Sequence, residues 1–287
     1  MEEDHHSRQV DSVLRARANE CAPFENVYTL ALRGLHDRAM NASNNMSDRK
    51  QMLQDALMAQ RKMLIDATGK RGEDIPQAFT PYKEVLDVYD EGLELPDDVT
   101  IIWPDDNYGY MKRLSSPKEQ KRSGRSGVYY HSSYLGKPHD HLWMNTTSPT
   151  LMYEELRKAY DMTADRIWLL NAGDIKACEF AVDFFLSMAY DIDSFNFDRA
   201  AAYRTEWLCG MLGDEYRNEY QDVLNSFYKL AFARRPEFMG WGYQWATDKH
   251  GRERNTDTDF SLTNYREVDF RLSEYRRIGE NYYRRKF

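Results

Sequence analysis

The feature that most constrains this chain is an alternation of two periodicities. Through its first two-thirds, short apolar, β-branched or aromatic runs recur, each bounded by polar residues: NVYTLAL (26–32), PQAFT (76–80), VTIIW (99–103), GVYYHSS (127–133) and RIWLLN (166–171). Runs of this length and composition read as strands. Stretches with helical spacing separate or flank them. These cover His6 to Asn19, Asp48 to about Ala67 with Asp48 as cap, Tyr82 to Gly92, SPTLMYEELRKAYDM with Ser148 as cap, and IKACEFAVDFFLSMAYD. Strands that alternate with helices predict a parallel sheet covered on both faces, an α/β fold. From about Ser194 only helical patterns follow: FDRAAAYRTEWLCGML, then DEYRNEYQDVLNSFYKLAFARR with Asp214 as cap, then a last helix near Tyr265 to Tyr283. A boundary near Asp193 is expected, with α/β before it (1–193) and an all-α region after it (194–287).

In parallel α/β folds the functional groups gather where strands end and loops begin. Here those positions are chemically rich. They hold Arg33, His36 and Asp37; Tyr82 and Glu84; Asp105, Asp106 and Asn107; His131 to Tyr134; and Asn171 with Asp174. Asp and Asn also end strands through local turn hydrogen bonds, and a carboxylate at a helix start complements the dipole without any function. What raises Glu84 and Asp105 above that reading is their position after successive strands. Two carboxylates facing one cleft are the minimum equipment for acid/base glycoside hydrolysis.

Composition removes several classes. A mean hydropathy of −0.79 and the lack of any apolar run near the roughly 20 residues of a spanning helix exclude a helical membrane protein. A net charge of −8 argues against a general nucleic-acid binder. Cys21, Cys178 and Cys209 are widely spaced and fit neither a disulfide framework nor a zinc pattern, so free and mostly buried thiols are expected. The opening MEEDHHSRQV is polar and has no apolar signal core.

Other motifs carry less. His139, Asp140 and His141 in KPHDHLW offer a His-x-His pair for a divalent metal, but no third and fourth ligand at defined spacing. KRSGRSG lacks the Gly-Lys-Ser/Thr of a phosphate loop and precedes a strand, so it reads as a flexible solvated loop. Trp241, Tyr243 and Trp245 suit packing between a loop and helices better than a sugar platform. Neither a nucleophile elbow nor a dinucleotide glycine pattern occurs, which leaves serine-hydrolase and hydride-transfer chemistry unsupported.

Five blocks carry a resemblance: ENVYTLALRGLHDRAM, PYKEVLDVYDEGLELPDDVTIIWPDDNYGY, GVYYHSSYLGKPHDHLWMNTT, RIWLLNAGDIKACEFAVDFFLSMAYD and RRPEFMGWG. They are similar to glycoside hydrolase family 115, whose members are xylan α-glucuronidases acting with inversion. The resemblance is dense from about Glu25 to Trp241. It implies a (β/α)8 barrel followed by a helical domain, so the expected fold is a partial (β/α)8 TIM-type barrel with an all-α domain after it. Carried over position by position, Glu84 and Asp105 fall on catalytic carboxylates. Tyr82, Asn107, Tyr134 and Asn171 match residues lining the uronic-acid pocket. Arg33 is placed to meet the sugar carboxylate, and His131 and Asp174 lie beside these positions. The resemblance implies a glucuronoxylan or xylo-oligosaccharide substrate, no cofactor, no metal, and a secreted or periplasmic setting. Family members are much longer, so the first barrel strands and an N-terminal domain are expected to be missing. The chain would then be weakly active or inactive alone, or completed by a second copy or another chain. Two further classes stay open on the residues: a non-catalytic carbohydrate-binding or oligomerising remnant, and a metal-dependent hydrolase using His139 and His141.

Overall fold

A computed structural model of the chain describes residues 2–34, 39–40, 45–134, 144–173, 175–238 and 268–283. The strands are β1 (Tyr28–Thr29), β2 (Gln77–Phe79), β3 (Thr100–Pro104), β4 (Ser126–His131) and β5 (Ala164–Asn171). The helices are α1 (Glu2–Cys21), α2 (Met46–Thr68), α3 (Glu84–Asp90), α4 (Pro149–Asp161), α5 (Ile175–Tyr190), α6 (Phe197–Leu212), α7 (Arg217–Ala233) and α8 (Val268–Ile278). The sheet order is the chain order, β1-β2-β3-β4-β5. The first three pairs are parallel, with Tyr28 opposite Gln77, Ala78 opposite Thr100 and Ile102 opposite Gly127. Sequential neighbours, joined through α2, α3 and α4 and, between β3 and β4, through a loop with one short turn at Glu119–Lys121, make this the sheet of a partial β/α barrel.

Residues 1–104, 111–129 and 159–169 form one compact unit, and residues 105–110, 130–158 and 170–287 another. In the first, Leu53, Leu57 and Leu64 of α2 meet Leu30, Ile75, Phe79, Val85, Val88 and Val99 in one apolar core. β1 is far shorter than its seven-residue apolar run suggests. The Gln60 side chain accepts from Ala31 N at 3.0 Å and donates to Ala31 O at 2.7 Å, taking the place of a strand partner just past β1. Gly127 is required where it stands: a Cβ there would lie 2.0 Å from Ile167 O.

Two expected caps shift. Asn45, not Asp48, opens α2, accepting from Ser47 N at 3.0 Å, because the helix starts two residues before Asp48. α7 begins at Arg217 without a side-chain cap, and Asp214 instead pairs with Arg217. Ser148 does cap α4, accepting from Leu151 N at 3.2 Å. The basic stretch before β4 is tied down rather than solvated. Arg122 donates to Leu95 O, Pro96 O and Val99 O, and Arg125 pairs with Asp165. None of the three cysteines is in a disulfide, and Cys178 and Cys209 are buried.

In the second unit α5 presents Phe180 and Phe184 to an aromatic core with Phe195, Tyr203 and Trp207, and Phe185 stacks on Tyr130. After the short turn at Ile192–Ser194 the described residues hold helices and turns and no strand. No described helix is long and apolar enough to cross a membrane.

Candidate functional site

Seven of the nine expected site residues fall into two clusters, each within one compact unit. In the first unit, Arg33 follows β1 and Glu84 opens α3 just after β2. The guanidinium grips the carboxylate with two hydrogen bonds, Nε to Oε1 and Nη2 to Oε2, both 3.2 Å. This planar fork is the geometry Arg uses for any carboxylate. The pair is partly open, with side chains 20% and 21% exposed. Tyr82 supports it: the Arg33 guanidinium lies 5.3 Å from the Tyr82 ring centroid and Lys83 Nζ 5.0 Å. The ring of Tyr129 meets Tyr82 edge-on at 5.8 Å. Lys83 has a φ of +52°, a left-handed setting that turns the chain from Tyr82 into α3.

In the second unit the centre is Asp105, directly after β3. Its carboxylate is enclosed and fully used. Oδ1 accepts from Asn107 N at 3.0 Å and lies 2.6 Å from His131 Nδ1, and Oδ2 accepts from His131 N at 2.9 Å and Gly109 N at 3.2 Å. The His131 and Asp105 side chains are 1% and 0% exposed. A carboxylate 2.6 Å from Nδ1 fixes the orientation of the imidazole. The Tyr134 ring stands edge-on to His131 at 5.5 Å, and Tyr108 edge-on to Tyr134 at 5.9 Å. Burial, followed by the neighbouring Tyr134 and Asp106, pushes the Tyr108 hydroxyl above its ordinary range, so it stays protonated.

The loop after β3 can take this shape only with unusual backbone. Asn107 has φ +75° and Gly109 φ +95°. A Cβ on Gly109 would stand 2.8 Å from Tyr130 Oη and 3.0 Å from Thr147 Cγ2. The buried Tyr130 hydroxyl donates to Gly109 O at 2.9 Å, and its pKa is well above normal because of burial and then Asp105. Arg235, in the turn after α7, donates to Tyr108 O and, at 3.2 Å, to Thr147 Oγ1. Asn171, ending β5, accepts through its backbone oxygen from Ser132 N at 3.0 Å.

The structure therefore brings Arg33, Tyr82 and Glu84 together, and separately Asp105, Asn107, His131 and Tyr134. Asp174, His36, Asp37, His139, Asp140, His141, Trp241, Tyr243 and Trp245 lie outside the described residues. Among the described residues there is no cluster of three His, Cys, Asp or Glu placed to hold a metal ion. Sequence reasoning missed Lys83, Tyr108, Gly109, Tyr130 and Arg235. The signal for Gly109 and Tyr108 was present in PDDNYGY, and Arg235 stands in the RRPEFMGWG block.

Parallel strands in sequential order, with ionisable groups in the turns that follow them, define a β/α-barrel scaffold of the kind that carries small-molecule and glycan chemistry. The particular family follows from comparison. The chain matches the model of glycosyl hydrolase family 115 over residues 2–238 and belongs to that family. Among solved structures it is similar to BtGH115A, described as a novel family GH115 4-O-methyl-α-glucuronidase with specificity for decorated arabinogalactans. The identity is 38% and the TM-score 0.83, over 96% of this chain and 36% of that one. The chain thus spans about a third of that relative's length. No curated protein matches it.

Proposed function

We propose that this chain is part of the catalytic apparatus of an α-glucuronidase-type glycoside hydrolase, acting on a polysaccharide that carries glucuronic acid or its 4-O-methyl ether. The observation that carries the reading is the Asp105–His131 pair, a buried carboxylate and an oriented imidazole at the end of β3 in a chain of this family. Glu84 and Asp105 are the carboxylates of the reaction. Glu84 is open enough to exchange a proton with a ligand, and Asp105 works through His131. Arg33, whose fork already holds one carboxylate, is suited to the uronate, with Tyr82, Asn107, Tyr134, Asn171 and Asp174 as further pocket residues.

Glucuronoxylan is the first substrate to test, with an inverted product. The similarity to an enzyme specific for decorated arabinogalactans favours a second reading, an arabinogalactan carrying the same uronic acid. Purified chain is incubated with each polymer and released uronic acid is measured, its anomeric form being read by proton NMR. The expected outcome is weak release, raised by a polypeptide that completes the scaffold, from one polymer in preference to the other. Glu84→Gln and Asp105→Asn should each lower any release by about 100-fold or more. Equal release from both variants and the parent would overturn the assignment of the carboxylates. The division at 193 into barrel and helical parts, a completing second copy or other chain, and a secreted or periplasmic setting belong to the same proposal. Sedimentation and cell fractionation test the last two.

A further inference from the structure

Asn145, Thr146 and Thr147 lead into α4, and the last of them, Thr147, lies against the loop that carries Asp105. Thr147 is the residue whose methyl a Cβ on Gly109 would meet at 3.0 Å, and Gly109 N donates to Asp105 Oδ2 at 3.2 Å. Two of the three have committed side chains: the Thr146 hydroxyl donates to Glu237 Oε1, and Thr147 Oγ1 accepts from Arg235 Nη1 at 3.2 Å. Asn145 is different. It is 2% exposed, and both its amide oxygen and its amide nitrogen are buried without a hydrogen-bond partner. Its backbone is also left-handed, φ +53°. The second Glu237 oxygen, Oε2, is buried and unpartnered as well.

Buried polar groups are nearly always bonded, and an orphaned one in a native protein calls for a reason. A left-handed Asn adds backbone cost that glycine would not carry. Two costs at one residue, two positions before the Thr147 that lies against the Asp105 loop, are the pattern of a group kept for a ligand rather than for the fold. An amide offers one donor face and one acceptor face, and a sugar hydroxyl is both acceptor and donor, so the two match without any charge.

We propose that Asn145 is a further recognition residue of the Asp105–His131 cluster, its amide bonding a hydroxyl of the bound sugar. The inference rests on the glucuronide reading above. Asn145→Gly tests it, because glycine removes the orphaned amide and accepts the left-handed backbone. Two quantities are measured on the full chain: the thermal midpoint, and the affinity for 4-O-methyl-D-glucuronic acid by NMR titration. The expected result is an unchanged or higher Tm together with an affinity weaker by about tenfold. A Tm lowered by several degrees would show that the amide serves the fold, through an enclosed water, and would overturn the assignment. Unchanged affinity would overturn it too, leaving the glucuronide reading intact. No binding of the uronic acid by the parent chain would overturn that reading and the assignment together.

Discussion

The two clusters solve the problem of holding a carboxylate in opposite ways. Asp105 is fixed mostly by backbone: three of its four partners are main-chain N–H groups, those of Asn107, Gly109 and His131. Glu84 is fixed by one side chain, the Arg33 fork, with a fifth of each partner open to solvent. A carboxylate locked by backbone cannot change partners without unfolding its loop. One held by a single guanidinium can yield to a competing anion. The contrast assigns preorganisation to Asp105 and exchange to Glu84, and it can be broken by mutation.

The largest effect is expected at Asp105. Asp105→Ala removes four hydrogen bonds from a closed site, and the loss of one partner from such a buried network costs about 3–5 kcal/mol, measurable by urea denaturation. If the variant loses less than about 1 kcal/mol, the locked half of the comparison fails. Next comes Gly109→Ala. With φ at +95° and Tyr130 Oη 2.8 Å from the new methyl, a loss of about 2–3 kcal/mol is expected. The Asp105 loop should loosen with it, read as faster amide exchange at Asn107. Smaller again is Arg33→Met, where a partly open ion pair contributes about 1 kcal/mol or less to stability. Binding of glucuronic acid should fall much more than stability does, and a variant that unfolds instead would make Arg33 structural.

The smallest effect tests the ion network around Glu119 in the first unit. Burial would raise the Glu119 carboxyl, but hydrogen bonds from Arg113, Ser116 and Tyr89 outweigh it and hold the carboxyl below its usual range. A depressed folded-state pKa contributes stability that is present above the unfolded glutamate range and is lost as pH falls through the folded value. The parent chain should therefore lose stability on acidification below about pH 4, beyond what Glu119→Gln loses, the reference pKa being about 4.3. Parallel acid profiles for the two would remove Glu119 from the account.

Much of the fold is legible in the amino-acid sequence. VTIIW and GVYYHSS read as strands because both are apolar, β-branched or aromatic runs ended by polar turns, and β3 and β4 lie within a residue or two of them. NVYTLAL carries an equally strong signal, yet β1 has two residues, because its edge is closed by Gln60, a contact 29 residues away along the chain. Local pattern cannot announce a distant side chain. The same holds at the site. Asp105, Asn107 and His131 stand at strand ends and could be named. Arg235 reaches Tyr108 across 127 residues, and Asn145 sits in a run, NTTSPT, that reads as ordinary helix-capping sequence. The positive φ values at Lys83, Asn107 and Asn145 are equally silent, since none is a glycine.

The central claim is that this chain carries a uronic-acid site organised by Asp105. The most direct measurement is an NMR titration of the full chain with 4-O-methyl-D-glucuronic acid, with xylose as control, in the parent and in Asp105→Asn. The account predicts saturable binding of the uronic acid, weaker or absent binding of xylose, and a marked loss of uronic-acid affinity in the variant. Binding of both sugars alike, or a variant that binds as the parent does, would contradict it.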